Sequence, residues 1–215
     1  MRVWKRRTLP AISVLVTLAI GVVLIPSVRA RIMRAAGWAL VAQDRMDRAD
    51  IIVVPKWTGE AGALEAAELV RAGIASRVAV LVGPQAGSTS ELIRRGVIAP
   101  SEDWITRLTR TLGVSAVEEI PNRVNGTEAE GDILPEWCAR NKFAAVVVVT
   151  TSDHSRRVRR ILNRTTKSYG VKIVIRPSRY SEFNPDRWWQ TRDGIRTEVV
   201  EFQKLILDMV MHPIS

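Results

Sequence analysis

Two residues three places apart, His154 and Arg157, follow directly on a run of valines in the segment VVVVTTSDHSRRVRRI, residues 146–161. An imidazole gives or takes a proton near neutral pH. A guanidinium is a permanent cation whose planar fork matches carboxylate and phosphate. Free N–H groups in the first turn of a helix add a third anion-binding element. The strand-to-helix order places all three at the carboxyl end of a strand, where an open parallel sheet holds its ligands. This segment therefore predicts an anion site in which His154 is the acid or base and Arg157 the clamp. Thr150, Thr151, Ser152 and Asp153 line it. If Ser152 or Asp153 caps the helix, His154 lies in the first turn and Arg157 one turn on, on the same side. Capping alone also accounts for Ser152 and Asp153, with Arg156, Arg157, Arg159, Arg160 and Arg164 then forming a solvated face.

A second loop, Asn122 to Glu130, contributes Asn125, Gly126 and Thr127 as ligand-binding candidates and Glu128 as an auxiliary catalytic carboxylate. Thr127 with Glu130 three residues later fits a capping box, which leaves Glu128 to point elsewhere. Two further turns, Pro55 to Glu60 and Gly83 to Ser88, carry glycines but neither GxGxxG nor the P-loop pattern, so a standard dinucleotide or Walker-type site is not expected. The glycines suit turns, and a cradle for a ligand backbone is only weakly signalled there. Two histidines, one cysteine and no carboxylate pair at ligand spacing give no metal site. No G-x-S-x-G elbow is present. Cys138, the single cysteine, reads as a small buried side chain. Trp188-Trp189 reads as packing at the edge of the core. No cofactor is identified.

The elements that must position these residues alternate. Strands are expected over Ala49–Val54, Arg77–Val82, Ala116–Ile120, Ala144–Thr150 and Val171–Arg176. Helices are expected over Gly62–Ala72, Thr89–Arg95, a stretch from an N-cap at Ser101 to Gly113, and Arg192–Met211. Pro135 should kink the helix after the third strand or mark a later start. The alternation predicts a Rossmann-like, three-layer α/β/α domain with a mostly parallel five-stranded sheet. The four valines from Val146 to Val149 suit a central strand covered on both faces.

Charge separates this domain from what precedes it. The chain of 215 residues has a formal net charge of +10, but residues 1–34 hold seven of its cations and no acid. The remainder carries 25 Lys+Arg against 22 Asp+Glu, a balance of +3. That is too small and too scattered for a phosphate-backbone footprint, and no nucleic-acid partner is expected. Leu9 to Val28 is uncharged and, at ~1.5 Å per residue, covers about 30 Å, enough for a bilayer core. An N-terminal hydrophobic helix within residues 1–30 is expected to anchor the chain, with 31–48 as linker and 49–211 as the domain. Val28 and Ala30 fit a signal-peptidase site, but Arg29 inside it and the length of the run favour an uncleaved, single-pass anchor. With the N-terminus inside, the domain is extracytoplasmic.

These pieces resemble the DUF218 family, whose YdcF-like, SanA-like and ElyC-like members are bacterial envelope proteins. The resemblance is carried by ADIIVV, ALEAAELVRAGIASRVAVL, the Asn-Gly-Thr-Glu segment, TTSDHSRR and a Trp-Trp pair followed by a glutamate. The family's T-S-x-x-H-x-x-R falls on Thr150, Thr151, His154 and Arg157, with threonine for the usual serine at 151. The Gly-rich turns typical after strands one and two are replaced by Pro55-Lys56-Trp57 and Gly83-Pro84-Gln85. Gly126 and Ala129 stand where asparagine and glutamate are usual. The resemblance implies a Rossmann-like fold, membrane attachment and a role in envelope or peptidoglycan-precursor physiology. The expected ligand is an anionic small molecule or lipid-linked precursor, acted on by a hydrolase or transferase. The departures leave open a non-catalytic sensing or docking module. The residues do not decide between enzyme and module, nor do they fix an oligomeric state.

Overall fold

The computed structural model describes residue 21 and residues 25–84, 86–121 and 126–213. Five strands form one sheet: β1 Ile51–Pro55, β2 Arg77–Val82, β3 Ala116–Pro121, β4 Ala145–Thr150 and β5 Lys172–Pro177. Their order is β3-β2-β1-β4-β5 and every neighbouring pair is parallel. Ile52 lies opposite Val78 on one side and Val147 on the other. Seven α-helices are found among the described residues: α1 Pro26–Ala39, α2 Gly59–Arg71, α3 Gly87–Arg94, α4 Trp104–Thr111, α5 Thr127–Arg140, α6 Ser155–Thr166 and α7 Arg192–Met211.

Alternation along the strands divides the core into two layers. Val146 and Val148 face α5 and α6, together with Ile51, Val53, Leu134 and Leu162. Val147 and Val149 face α2 and α4, together with Ile52, Val54, Ala66 and Ile105. The four-valine run is thus buried on both sides, as a central parallel strand requires. This is a three-layer α/β arrangement of Rossmann-like type. Strand order reverses between β1 and β4, so the crevice at their carboxyl ends is the natural ligand position.

Several local expectations change. Ser101 is exposed coil, and Asp103 caps α4 by accepting from the N–H of Ile105 at 2.9 Å. Pro135 neither ends α5 nor delays its start. The close approach of α5 to α6 depends on Gly131, where a Cβ would lie 2.5 Å from a methyl of Ile161. Residues 31–39 belong to α1, and the strip after it is fastened to the domain. Arg156 donates to the carbonyls of Ala39 and Val41, Ser155 Oγ accepts from the N–H of Ala42 at 2.8 Å, and Asp44 bonds to the backbone of Ile175. Most of the hydrophobic stretch Leu9–Val28 lies outside the described residues, as does Asn125. No helix among the described residues is long and apolar enough to cross a membrane.

Candidate functional site

β4 ends at Thr150, and the short turn before α6 raises Asp153 and His154 at the switch point. The helix cap is not the one expected. His154 itself occupies the N-cap position, and no side chain caps the helix. Asp153 instead turns its carboxylate to His154, with Nδ1 and Oδ2 2.6 Å apart. Burial pushes the Asp153 carboxyl up, but the His154 hydrogen bond and charge outweigh it and hold the group below its ordinary range. With Nδ1–H donated to Asp153, a neutral imidazole presents an unprotonated Nε2.

Three other elements enclose this pair. The turn after β1 is pinned by the Thr58 hydroxyl, which donates to the carbonyl of Pro55 at 2.7 Å, and it delivers Trp57. Trp57 stacks on the His154 ring at a centroid distance of 5.0 Å and 28° between planes. Its indole N–H donates to Glu130 at 2.7 Å. Burial raises the Glu130 carboxyl above its ordinary range, opposed by that hydrogen bond and by the charges of Arg157 and His154. From α7, Glu201 sets an oxygen 3.6 Å from His154 Nε2. Glu198, also on α7 and buried, is pushed up to about 7 by desolvation and by the charge of Asp153.

Arg157 is paired within the fold. Its Nε and one terminal nitrogen donate to Glu201 at 3.2 and 3.0 Å, and its side chain is 13% exposed. The helix start is also engaged, since the N–H of Arg156 donates to the carbonyl of Leu40 and that of Ser155 to the carbonyl of Ser152. Cation and amides are therefore paired within the fold, and the expected anion clamp is not assembled at this spot. Glu128 does not reach the site either. It is exposed and pairs with Arg164 at 2.8 Å. The capping box fails because Gly126 is the N-cap of α5 and Glu130 is drawn to Trp57. Thr127 lines a small apolar pocket behind Trp57. Thr150 is wholly buried, and the N–H of Ser152 bonds to Ser181. Of the nine predicted residues that the structure describes, only Thr151, Asp153 and His154 line the main cleft.

That cleft has a volume of about 500 Å³ and includes Trp57, Glu60, Asp153, His154, Tyr180 and Glu182 in its wall. No lysine or arginine among the described residues lines it. A smaller cleft of about 290 Å³ adjoins it, with His154 in the wall of both and Arg196 and Glu201 on the α7 side. Trp57, Glu201 and Tyr180 had no motif to mark them as site residues, and Glu130 was marked only as a helix cap. The one available signal was an aromatic residue in a turn directly after a buried strand.

Three potential metal ligands, Glu128, Asp208 and His212, come within 4.8 Å of one another. Arg160 and Arg164 already hold the Asp208 carboxylate, and Arg164 also holds Glu128. A cation would have to displace two guanidinium groups, so the cluster is an ion-pair network. No protein-family model matches this chain, and no curated protein does either.

Proposed function

We propose that this chain is a membrane-anchored, extracytoplasmic protein of the DUF218 kind, in which His154 transfers a proton on an envelope precursor bound in the main cleft. The observation that carries this reading is the imidazole held by Asp153 and stacked on Trp57 in the wall of a cleft at the sheet's switch point. The cleft chemistry favours the uncharged, polyhydroxylated part of such a precursor. Trp57 and Tyr180 offer apolar faces for a sugar ring, while Glu60, Glu182 and Thr151 offer hydroxyl partners. An anionic group on the same ligand is met by Arg196 in the adjoining cleft.

In this mechanism Nε2 of His154 takes the proton of an attacking water or hydroxyl, and the imidazolium formed is stabilised by Asp153. Glu201, fixed by Arg157 and by Lys204 at 2.6 Å, adds a second carboxylate 3.6 Å from Nε2 that stabilises the imidazolium once it has formed. His154→Asn is expected to lose 10²-fold or more in turnover, on the order of a general base's contribution, with ligand binding and thermal stability kept. The measurement is rescue of an envelope defect, together with glycan binding by calorimetry. Full rescue by both His154→Asn and Trp57→Ala would remove the reading.

A non-catalytic sensing module is the second reading. It is favoured by one observation: among the described residues no hydroxyl or thiol is hydrogen-bonded to the His154 ring, and Cys138 is buried with its thiol pushed up to about 12. Saturable binding without product from any glycan precursor would select it.

A further inference from the structure

Helix α7 is amphipathic in the reverse sense. The side it turns to the domain carries Glu198, Glu201, Leu205 and Asp208, all buried. The side it turns outward carries Ile195, Val199, Phe202, Ile206, Leu207 and Val210, of which Leu207 is 62% and Val210 70% exposed. A surface helix normally sets its apolar stripe on the core. Here the inward side joins ion pairs to α6, from Glu201 to Arg157 and from Asp208 to Arg160 and Arg164, with a small apolar contact at Leu205.

The geometry points to a lipid surface as the partner of this outward face, with α7 lying in the interface of the bilayer that anchors the chain. Three observations favour lipid over a second copy. The apolar arc is wider than the two-position seam of a helix pair, since Leu207 and Val210 extend it beyond the line from Ile195 to Ile206. The chain reaches the domain beside α7: the uncharged run 9–28 leads into α1. Trp188, just before α7, donates to the carbonyl of Met33 on α1 at 2.7 Å, and Leu40 packs with Leu205. Charge also fits, because α1 exposes Arg29, Arg31 and Arg34 with no acid, and Arg192 opens α7. Such cations draw a helix to anionic headgroups.

The inference rests on the membrane attachment proposed above, and the test separates the two. Full-length protein bearing Ile206→Cys is labelled with an environment-sensitive dye and reconstituted in phosphatidylcholine–phosphatidylglycerol vesicles. Cys138, buried, stays unlabelled. The expected result is a blue-shifted emission quenched at least twofold by acyl-chain nitroxide lipids. A label at Glu136→Cys, exposed on α5, should stay in water. Adding Phe202→Asp and Val199→Asp, both at exposed positions, should abolish the quenching while circular dichroism stays unchanged. Protein that fails to float with vesicles would overturn the attachment itself. Protein that floats with the Ile206 label unquenched would overturn only the docking of α7. Energy transfer between labelled copies would then assign the face to self-association, and cross-linking to residues 9–25 would assign it to the chain's own leader.

Discussion

Helix α6 is held on its two sides by opposite kinds of chemistry. Toward the sheet and α5 it presents Val158 and Leu162, which join the central apolar core, and Ile161, buried against Gly131 of α5. Toward α7 it presents Arg157, Arg160 and Arg164, each paired to a buried carboxylate. Apolar burial is non-directional and tolerates small shifts. Paired charges out of water tolerate very little, because a partner lost leaves the other unsolvated. The sheet side therefore fixes the fold, and the α7 side fixes the angle at which Glu201 meets His154. The site stands on the border between the two.

Substitutions on each side should separate these roles. Leu162→Ala, at a buried position of that core, is expected to cost about 4 kcal/mol and to raise amide exchange throughout β1 and β4. Asp208→Ala leaves Arg160 and Arg164 facing each other and is expected to cost about 3 kcal/mol. Its exchange should rise in α7 alone while the sheet stays protected. Equal loosening of the sheet and α7 in this variant would show that the two sides are one cooperative unit.

Glu198 sharpens the contrast through pH. Unfolded, its carboxyl titrates near the ordinary 4.5, and folded it titrates at about 7. The folded protein thus holds the extra proton between these values, and stability from this group is full below 4.5 and lost as pH rises through about 7. The loss is at most roughly 3 kcal/mol. Thermal melting at a series of pH values should show Glu198→Gln flattening the slope in that window. At the smallest end, Arg71→Ala removes an exposed pair with Glu68 on α2 and should change stability by less than about 0.5 kcal/mol.

The sheet side was legible in the sequence because its signal is local. Four valines in a row, bounded by turns, can be satisfied only by a strand covered on both faces, and the position of the site follows from where that strand ends. His154 and Asp153 were legible for the same reason. The α7 side was not, since Arg157 and Glu201 lie 44 positions apart and no local spacing relates them. Arg157 read alone is a free cation; read with Glu201 it is occupied. Glu128 was chosen over Glu130 because a capping box accounts for Glu130 locally. The competing donor, Trp57, comes from a turn 73 positions earlier. Short-range capping rules lose where a distant aromatic N–H reaches the same carboxylate.

Arg156 has a mechanical consequence. Its guanidinium grips the backbone of Ala39 and Val41, and its own N–H holds Leu40, while His154 stands two residues away. Displacement of residues 39–41 is therefore transmitted to the first turn of α6, beside the imidazole, before it can load any strand of the sheet.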